Sequence, residues 1–103
     1  MPPTFAYVYT MTSERDRIRA TAPAHAAYWE AMALPGYVGG PFEDRTGGLI
    51  LFDVENNERA QRLVKEDPFT REGLLDHTLV KEWRPAQPTV ATGGGVADSV
   101  VVG

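Results

Sequence analysis

The segment LILFDV, residues 49–54, is the clearest β-strand signal in the chain, and the fold can be worked out in both directions from it. It follows a polar turn and the glycines Gly47 and Gly48, and it is rich in apolar residues with strand preference. The segment before it, YVGGPF at residues 37–42, predicts a weaker strand that glycine interrupts. The two segments together predict a hairpin in the middle of the chain.

The segment TFAYVYT, residues 4–10, is rich in aromatic and β-branched residues and predicts the first strand. Side chains alternate between the two faces of a strand. One face therefore carries Phe5, Tyr7 and Tyr9, and the other carries the small or branched side chains between them. The last strand is predicted at residues 78–83 (TLVKEW), which Pro85 closes.

The first helix is predicted over residues 22–34, where strong helix formers follow one another until Pro35 and Gly36 end them. Pro23 suits the first turn of this helix, because a proline there loses no hydrogen bond. Ahead of it, Ser13 and Asp16 have the spacing of a capping box, which predicts a separate short helical turn over residues 13–20.

The second helix is predicted from Asn56 or Asn57 to about Glu66. The helix has an apolar stripe with i, i+3, i+4 spacing, made of Ala60, Leu63 and Val64. Pro68 ends this helix and predicts the start of a further short one that reaches Leu75.

The element order is therefore β-α-β-β-α-β, the order of the ferredoxin-like fold. We predict an α+β domain in which two helices cover one face of a four-stranded antiparallel sheet. The other face is left uncovered, and its strand side chains are apolar as well. Because a monomer rarely exposes so large an apolar patch, we expect a homodimer that pairs through the sheet faces.

Composition narrows the class of protein. The 103 residues carry a formal charge of −4 and no cysteine. No apolar run approaches the ~18–20 residues of a membrane span, the N-terminus predicts no secretory signal, and no basic patch predicts nucleic-acid binding. Absence of cysteine excludes thiol catalysis and cysteine-based metal sites. We expect a cytoplasmic protein with its folded domain at residues 1–85 and a flexible Gly/Val-rich tail at residues 86–103.

Histidine is the first candidate for proton transfer at neutral pH in a chain without cysteine. His25 shares a face of the first helix with Trp29 and Met32, at i, i+4 and i+7. The alternative is a core histidine that hydrogen-bonds to a carbonyl. His77, at the start of the last strand, is predicted to lie in a surface turn.

Asp67, in the sequence KEDPF, is the carboxylate of most interest. An aspartate directly before a proline is also a good N-cap for a helix that begins at Pro68, so its residue type alone favours a structural role. The two histidines lie far apart in sequence and belong to no spaced cluster of further ligands, so no metal site is predicted.

Five segments taken in order, APAHAAYW, YVGGPF, GGLILFDV, AQRLVKEDPF and VKEWRP, resemble the YCII-related (YciI-like) proteins over about residues 5–85. The resemblance implies a ferredoxin-like fold of the dimeric α+β barrel type. It also implies that His25 and Asp67 meet in space and form a catalytic pair. Two positions depart from the family pattern: Gly48 stands where many relatives have a serine, and Phe69 removes a possible tyrosine hydroxyl.

The resemblance implies a small cofactor-independent enzyme, of lyase or isomerase type, that acts on a small cyclic or aromatic metabolite. Asp67 would fix the tautomer of His25, which would act as general acid or base. The side chains expected to line the substrate pocket are aromatic: Tyr7, Tyr9, Trp29 and Phe42. Two alternatives stay open, a non-catalytic small-molecule binding module and a cofactor-free monooxygenase on the same fold.

Overall fold

The structure is a computed structural model that describes residues 2–86. Four antiparallel strands form one sheet in the order β2-β3-β1-β4. Their bounds are β1 Thr4–Met11, β2 Val38–Pro41, β3 Gly47–Asp53 and β4 Leu75–Trp83. The predicted α+β, ferredoxin-like βαββαβ architecture is confirmed. The tail predicted at residues 86–103 lies, from residue 87 onward, outside the described residues.

The two faces of the sheet follow from the register of the strands. Tyr7 pairs with Ile50 on one side and Val80 on the other, and Phe5 pairs with Phe52. These side chains point toward the helices and form the core with Trp29. The alternation predicted for the first strand is therefore confirmed.

Three helices cover this face: α1 Arg15–Ala31, α2 Asn57–Lys65 and the short α3 Pro68–Arg71. The stripe predicted for the second helix, Ala60, Leu63 and Val64, is buried in α2. Asn56 caps α2, and its side chain accepts a hydrogen bond from the backbone N–H of Arg59 at 2.8 Å.

The prediction of two separate helices before Pro35 is wrong, because α1 is one continuous helix with Pro23 inside it. The proline removes the backbone bond to the carbonyl of Arg19. Pro23 and Arg19 are both exposed, so water can reach the carbonyl that the proline leaves free. The predicted capping box is also wrong: α1 begins after Glu14, and no side chain caps it.

The last strand is longer than predicted, and the helix before it is shorter. Gly73 adopts a positive φ of 69°, so the chain leaves the helical conformation soon after α3 ends at Arg71. Leu75 then pairs with Met11, beyond an irregularity in the register between Thr10 and Met11. His77 consequently lies within β4, opposite Thr10, rather than in a surface turn.

The opposite face of the sheet carries no helix within residues 2–86. Val8 pairs with both Leu49 and Leu79 across this face, and Thr4 pairs with Trp83. Four of its large apolar side chains are exposed: Val38 (64%), Leu49 (37%), Leu79 (51%) and Trp83 (45%). We call this surface the open face. None of the described helices is long and apolar enough to span a membrane.

Candidate functional site

Asp67 lies at the junction between α2 and α3, where the sequence predicts a helix cap. Its Oδ1 accepts a hydrogen bond from the backbone N–H of Phe69 at 2.8 Å, and Pro68 occupies the first turn of α3. The capping prediction is thus confirmed. The side chain is completely buried, so the carboxylate depends on protein donors to replace water.

Three further donors surround this carboxylate. The indole Nε1–H of Trp29 donates to Oδ2 at 2.9 Å, and the hydroxyl of Tyr7 makes a longer bond to the same oxygen at 3.4 Å. His25 places Nδ1 2.9 Å from Oδ1 and 3.0 Å from Oδ2. Asp67 therefore does more than cap a helix, because its side chain also joins α1 to β1.

The contact with Asp67 fixes the orientation of the His25 ring. A carboxylate only accepts hydrogen bonds, so Nδ1 carries the proton that lies between the two side chains. Nε2 then lies on the other side of the ring and is free to accept a proton. The ring stacks on Phe69 with centroids 4.2 Å apart, and Tyr9 meets it edge-on at 5.7 Å. The side chain of His25 keeps 13% of its surface exposed.

The pairing of α1 with α3 brings together two residues that are 42 positions apart in sequence. His25 and Trp29 are one turn apart on α1, so both reach the same carboxylate. Nearer the start of α1, Arg17 donates to the backbone carbonyl of Glu72 at 2.8 Å. This bond ties the beginning of α1 to the end of α3, and the two helices flank the site.

Beside His25 lies an open cavity of about 1010 Å³ between α1 and the β2–β3 half of the sheet. The cavity exists because small residues face each other where α1 lies over β2 and β3. The α1 wall contributes Ala22 and Ala26, and the sheet contributes Gly39 and Pro41. Gly48, the partner of Pro41 in β3, likewise has no side chain to fill the layer.

The structure separates the four aromatic residues that were expected to line the pocket. Tyr9 lines the cavity. Tyr7 and Trp29 are completely buried behind it, where they hold Asp67. Phe42 does not line the cavity, because the alternation of β2 that turns Pro41 toward the helices turns its neighbour toward the open face.

Tyr37 lines the cavity as well, although the sequence analysis did not single it out. A Cβ built on Gly39 would lie 3.5 Å from the hydroxyl oxygen of Tyr37, so the Tyr37 phenol packs next to Gly39. The sequence signal was the pair of glycines in YVGGPF, which leaves room for a ring. On its own, that pair is typical of a hairpin.

The phenols near Asp67 are strongly biased toward their neutral form. Burial, and after it the negative charge of Asp67, raises the pKa of Tyr7 well above 10.0. The same two causes raise the pKa of Tyr9 to about 12. Both hydroxyls therefore remain protonated, and able to donate, throughout the neutral range.

Charged side chains of both signs surround the rim of the cavity. The basic ones are Arg15, Arg19 and Arg45, and the acidic ones are Glu30, Asp44 and Asp76. Within residues 2–86, no three His, Cys, Asp or Glu side chains are grouped as metal ligands would be. The cavity lining also includes the imidazole of His25 and the phenols of Tyr9 and Tyr37.

Among solved structures, the chain is similar to 5-chloro-2-hydroxyhydroquinone dehydrochlorinase (TftG) from Burkholderia phenoliruptrix AC1100, in complex with 2,5-dihydroxybenzoquinone. The identity is 26%, the TM-score is 0.72, and the match covers 81% of this chain and 95% of that one. PA3566 from Pseudomonas aeruginosa is similar in fold, with 16% identity, a TM-score of 0.56, and coverage of 84% and 95%. No functionally curated protein is significantly similar in sequence.

The sequence pattern of one family covers most of the chain. The YCII-related domain matches residues 4–84, which include every strand and helix described above. The match spans His25 and Asp67 as well as the glycines beside the cavity. The protein therefore belongs to the family of YCII-related domain proteins.

Proposed function

We propose that this protein is a cofactor-independent enzyme of lyase or isomerase type, which moves a proton on a small cyclic or aromatic metabolite. The observation that carries the proposal is the contact between His25 Nδ1 and the buried Asp67 carboxylate at 2.9 Å. The similarity to a dehydrochlorinase of a hydroxylated ring supports the choice of substrate class.

His25 is the proton acceptor in this proposal. Its Nδ1–H is held by Asp67, so Nε2 has a free lone pair on a residue that lines the cavity. When Nε2 takes a proton from the substrate, the ring becomes an imidazolium, and the nearby carboxylate stabilises that charge. Asp67 stays in place during this step, because Trp29 and the backbone of Phe69 hold it.

For elimination of a halide, His25 first moves a proton from a substrate hydroxyl to the ring carbon that carries chlorine, which gives a keto tautomer. It then accepts the proton of a second hydroxyl, whose O–H electron pair forms a new C=O bond, and the electrons displaced through the ring leave with chloride. His25 holds the proton and returns it to water or to the product. The step requires no oxidant, because the electrons that leave with chloride are those left behind by the proton. General acid–base catalysis by one positioned group contributes about 10²–10⁴-fold.

The decisive experiment replaces His25 and measures chloride release from 5-chloro-2-hydroxyhydroquinone. We expect His25→Ala to lower kcat by about 10²–10⁴-fold while the protein stays folded by circular dichroism. His77→Ala is the matched control, because His77 lies in β4 opposite Thr10, away from the cavity. Equal turnover by wild type and His25→Ala would remove the histidine from the mechanism.

The same assay separates the two alternatives. A non-catalytic binding module would bind the ring compound and release it unchanged, with no chloride. A cofactor-free monooxygenase would consume oxygen in step with the loss of a quinol, whereas elimination consumes none. An oxygen electrode reading taken beside the chloride measurement therefore distinguishes all three functions.

We also propose that two copies of the chain pair through their open faces. Val38, Leu49, Leu79 and Trp83 are exposed there, although residues of this kind are usually buried. A second copy offers a surface of the same size and polarity, and pairing would remove this apolar area from water.

A further inference from the structure

Tyr9 presents a phenol ring to the cavity. Its ring is almost completely buried and makes aromatic contacts with Tyr7, His25 and Phe69. The hydroxyls of Tyr7 and Tyr28 donate to Asp67 and to the carbonyl of Leu63, respectively. The hydroxyl of Tyr9 makes no hydrogen bond to any group within residues 2–86, although Tyr9 lines the cavity.

Gly48 is what gives this hydroxyl its position. The two residues face each other across β1 and β3, and a Cβ on Gly48 would lie only 2.4 Å from the Tyr9 hydroxyl oxygen. It would lie 2.7 Å from Cζ of the same ring and 2.8 Å from the backbone carbonyl oxygen of Gly40, so no small adjustment of the hydroxyl alone could relieve the overlap. A side chain at this position would therefore displace the phenol and press on β2 as well.

Because the hydroxyl of Tyr9 stays protonated, it can donate a hydrogen bond. Burial and the charge of Asp67 keep its proton in place across the neutral range, so the oxygen carries a hydrogen to offer. Among residues 2–86 the buried side-chain atoms without a partner are the hydroxyls of Thr10 and Thr70, so the hydroxyl of Tyr9 is open to the cavity and can meet a ligand there. The group that fits is an oxygen acceptor on a molecule held in the cavity.

We propose that the Tyr9 hydroxyl donates a hydrogen bond to a substrate oxygen, and that it stabilises the negative charge which develops there when His25 removes a proton. The inference rests on the proposed function of the His25–Asp67 pair. The proton passes to Nε2 of His25, and the electron pair of the broken O–H bond stays on that oxygen as an oxyanion until the C=O bond forms and the electrons displaced through the ring leave with chloride. Tyr9 keeps its own proton throughout, so its role is that of an oxyanion donor.

The substitution Tyr9→Phe tests the donor, because it removes the hydroxyl and keeps the ring. We expect kcat for 5-chloro-2-hydroxyhydroquinone to fall by about 10²–10³-fold, with little change in KM, since the bond strengthens in the transition state. Tyr28→Phe is the matched control: it also removes a phenol hydroxyl, one that donates to the carbonyl of Leu63 outside the cavity, and we expect it to retain wild-type kcat.

The substitution Gly48→Ala provides an independent test that keeps the hydroxyl and moves it. We expect it to lower kcat as Tyr9→Phe does, and we expect the double variant to be no worse than either single one. Additive losses in the double variant would contradict a shared mechanism. Thermal melts of all four variants separate loss of the donor from loss of the fold.

Binding of 2,5-dihydroxybenzoquinone, followed by quenching of tryptophan fluorescence, distinguishes failure of this inference from failure of the proposed function. Loss of turnover in His25→Ala with unchanged kcat in Tyr9→Phe overturns the donor and leaves the histidine in place. If the wild type shows no turnover, but Tyr9→Phe binds the quinone more weakly than the wild type does, the donor is supported and the proposed enzyme is overturned. A wild-type protein that binds no quinone overturns both.

Discussion

The carboxylate of Asp67 accepts hydrogen bonds from four groups, which belong to three elements, β1, α1 and α3. The backbone of Phe69 holds Oδ1 from within α3, and Trp29 holds Oδ2 from α1. One buried side chain thereby determines both the local backbone and the orientation of His25. Removing a donor should leave a buried charge less well satisfied, which costs more than the bond itself contributes.

At this residue scale we expect Trp29→Phe to lower the free energy of unfolding by at least ~1–3 kcal/mol, because Oδ2 loses its 2.9 Å donor. Urea denaturation followed by circular dichroism measures the loss. Tyr7→Phe is the comparison, since it removes only the longer 3.4 Å bond to the same oxygen. A loss in Trp29→Phe no larger than in Tyr7→Phe would contradict this account.

The buried phenols predict how stability depends on pH. In the folded protein the pKa of Tyr9 is raised from 10.0 to about 12, and that of Tyr28 to about 12 as well. A raised pKa means that the folded state binds the proton more tightly than the unfolded state does. The contribution is therefore complete below pH 10 and is lost as the pH rises toward 12. Urea unfolding at intervals from pH 8 to 11 should show a plateau and then a decline, with a shallower decline in Tyr28→Phe.

At the scale of elements, α1 carries a proline in its interior, two positions before His25. Inside a helix, proline is about 3 kcal/mol less favourable than alanine. Proline also restricts the unfolded chain, which stabilises the folded protein by about 0.4–1 kcal/mol. We expect Pro23→Ala to raise the free energy of unfolding by about 2 kcal/mol in urea denaturation. The control is Pro68→Ala at the first turn of α3, where no helical bond is missing and we expect no gain. Equal effects at the two prolines would argue against the interior bond as the cause.

At the scale of the whole molecule, the open face should control the oligomeric state. Leu79 is 51% exposed and pairs with Val8 near the middle of the sheet. We expect light scattering after size exclusion to give twice the chain mass of 11.3 kDa for wild type, and a single chain mass for Leu79→Glu. Ala27→Glu, on the exposed side of α1, should leave the mass unchanged. A wild-type mass of one chain would refute pairing.

The sequence predicts most of the sheet and little of the cavity, for a physical reason. Alternation along residues 4–10 and the stripe of α2 are local patterns, so they identify buried faces without knowledge of the partner. The continuity of α1 through Pro23 depends on water reaching the carbonyl of Arg19. Helix propensities do not include such solvent access, because it is set by the fold. The contact between His25 and Asp67 depends on the packing of α1 against α3, and only the family resemblance indicated it. The cavity arises where small residues of separate elements meet, and no local window contains them all.

The cavity wall and the buried pair of side chains beside it belong to different elements. Gly39 and Pro41 of β2 line the cavity, whereas the imidazole of His25 and its carboxylate partner are set on α1 and at the start of α3. A Cβ on Gly39 would meet only side-chain atoms, those of Ile50 at 3.0 Å and of Tyr37 at 3.4 Å. Single substitutions along this edge can therefore reshape the chamber while the imidazole and its carboxylate keep their places. The shape of the chamber and the position of the imidazole can therefore be changed independently by substitution.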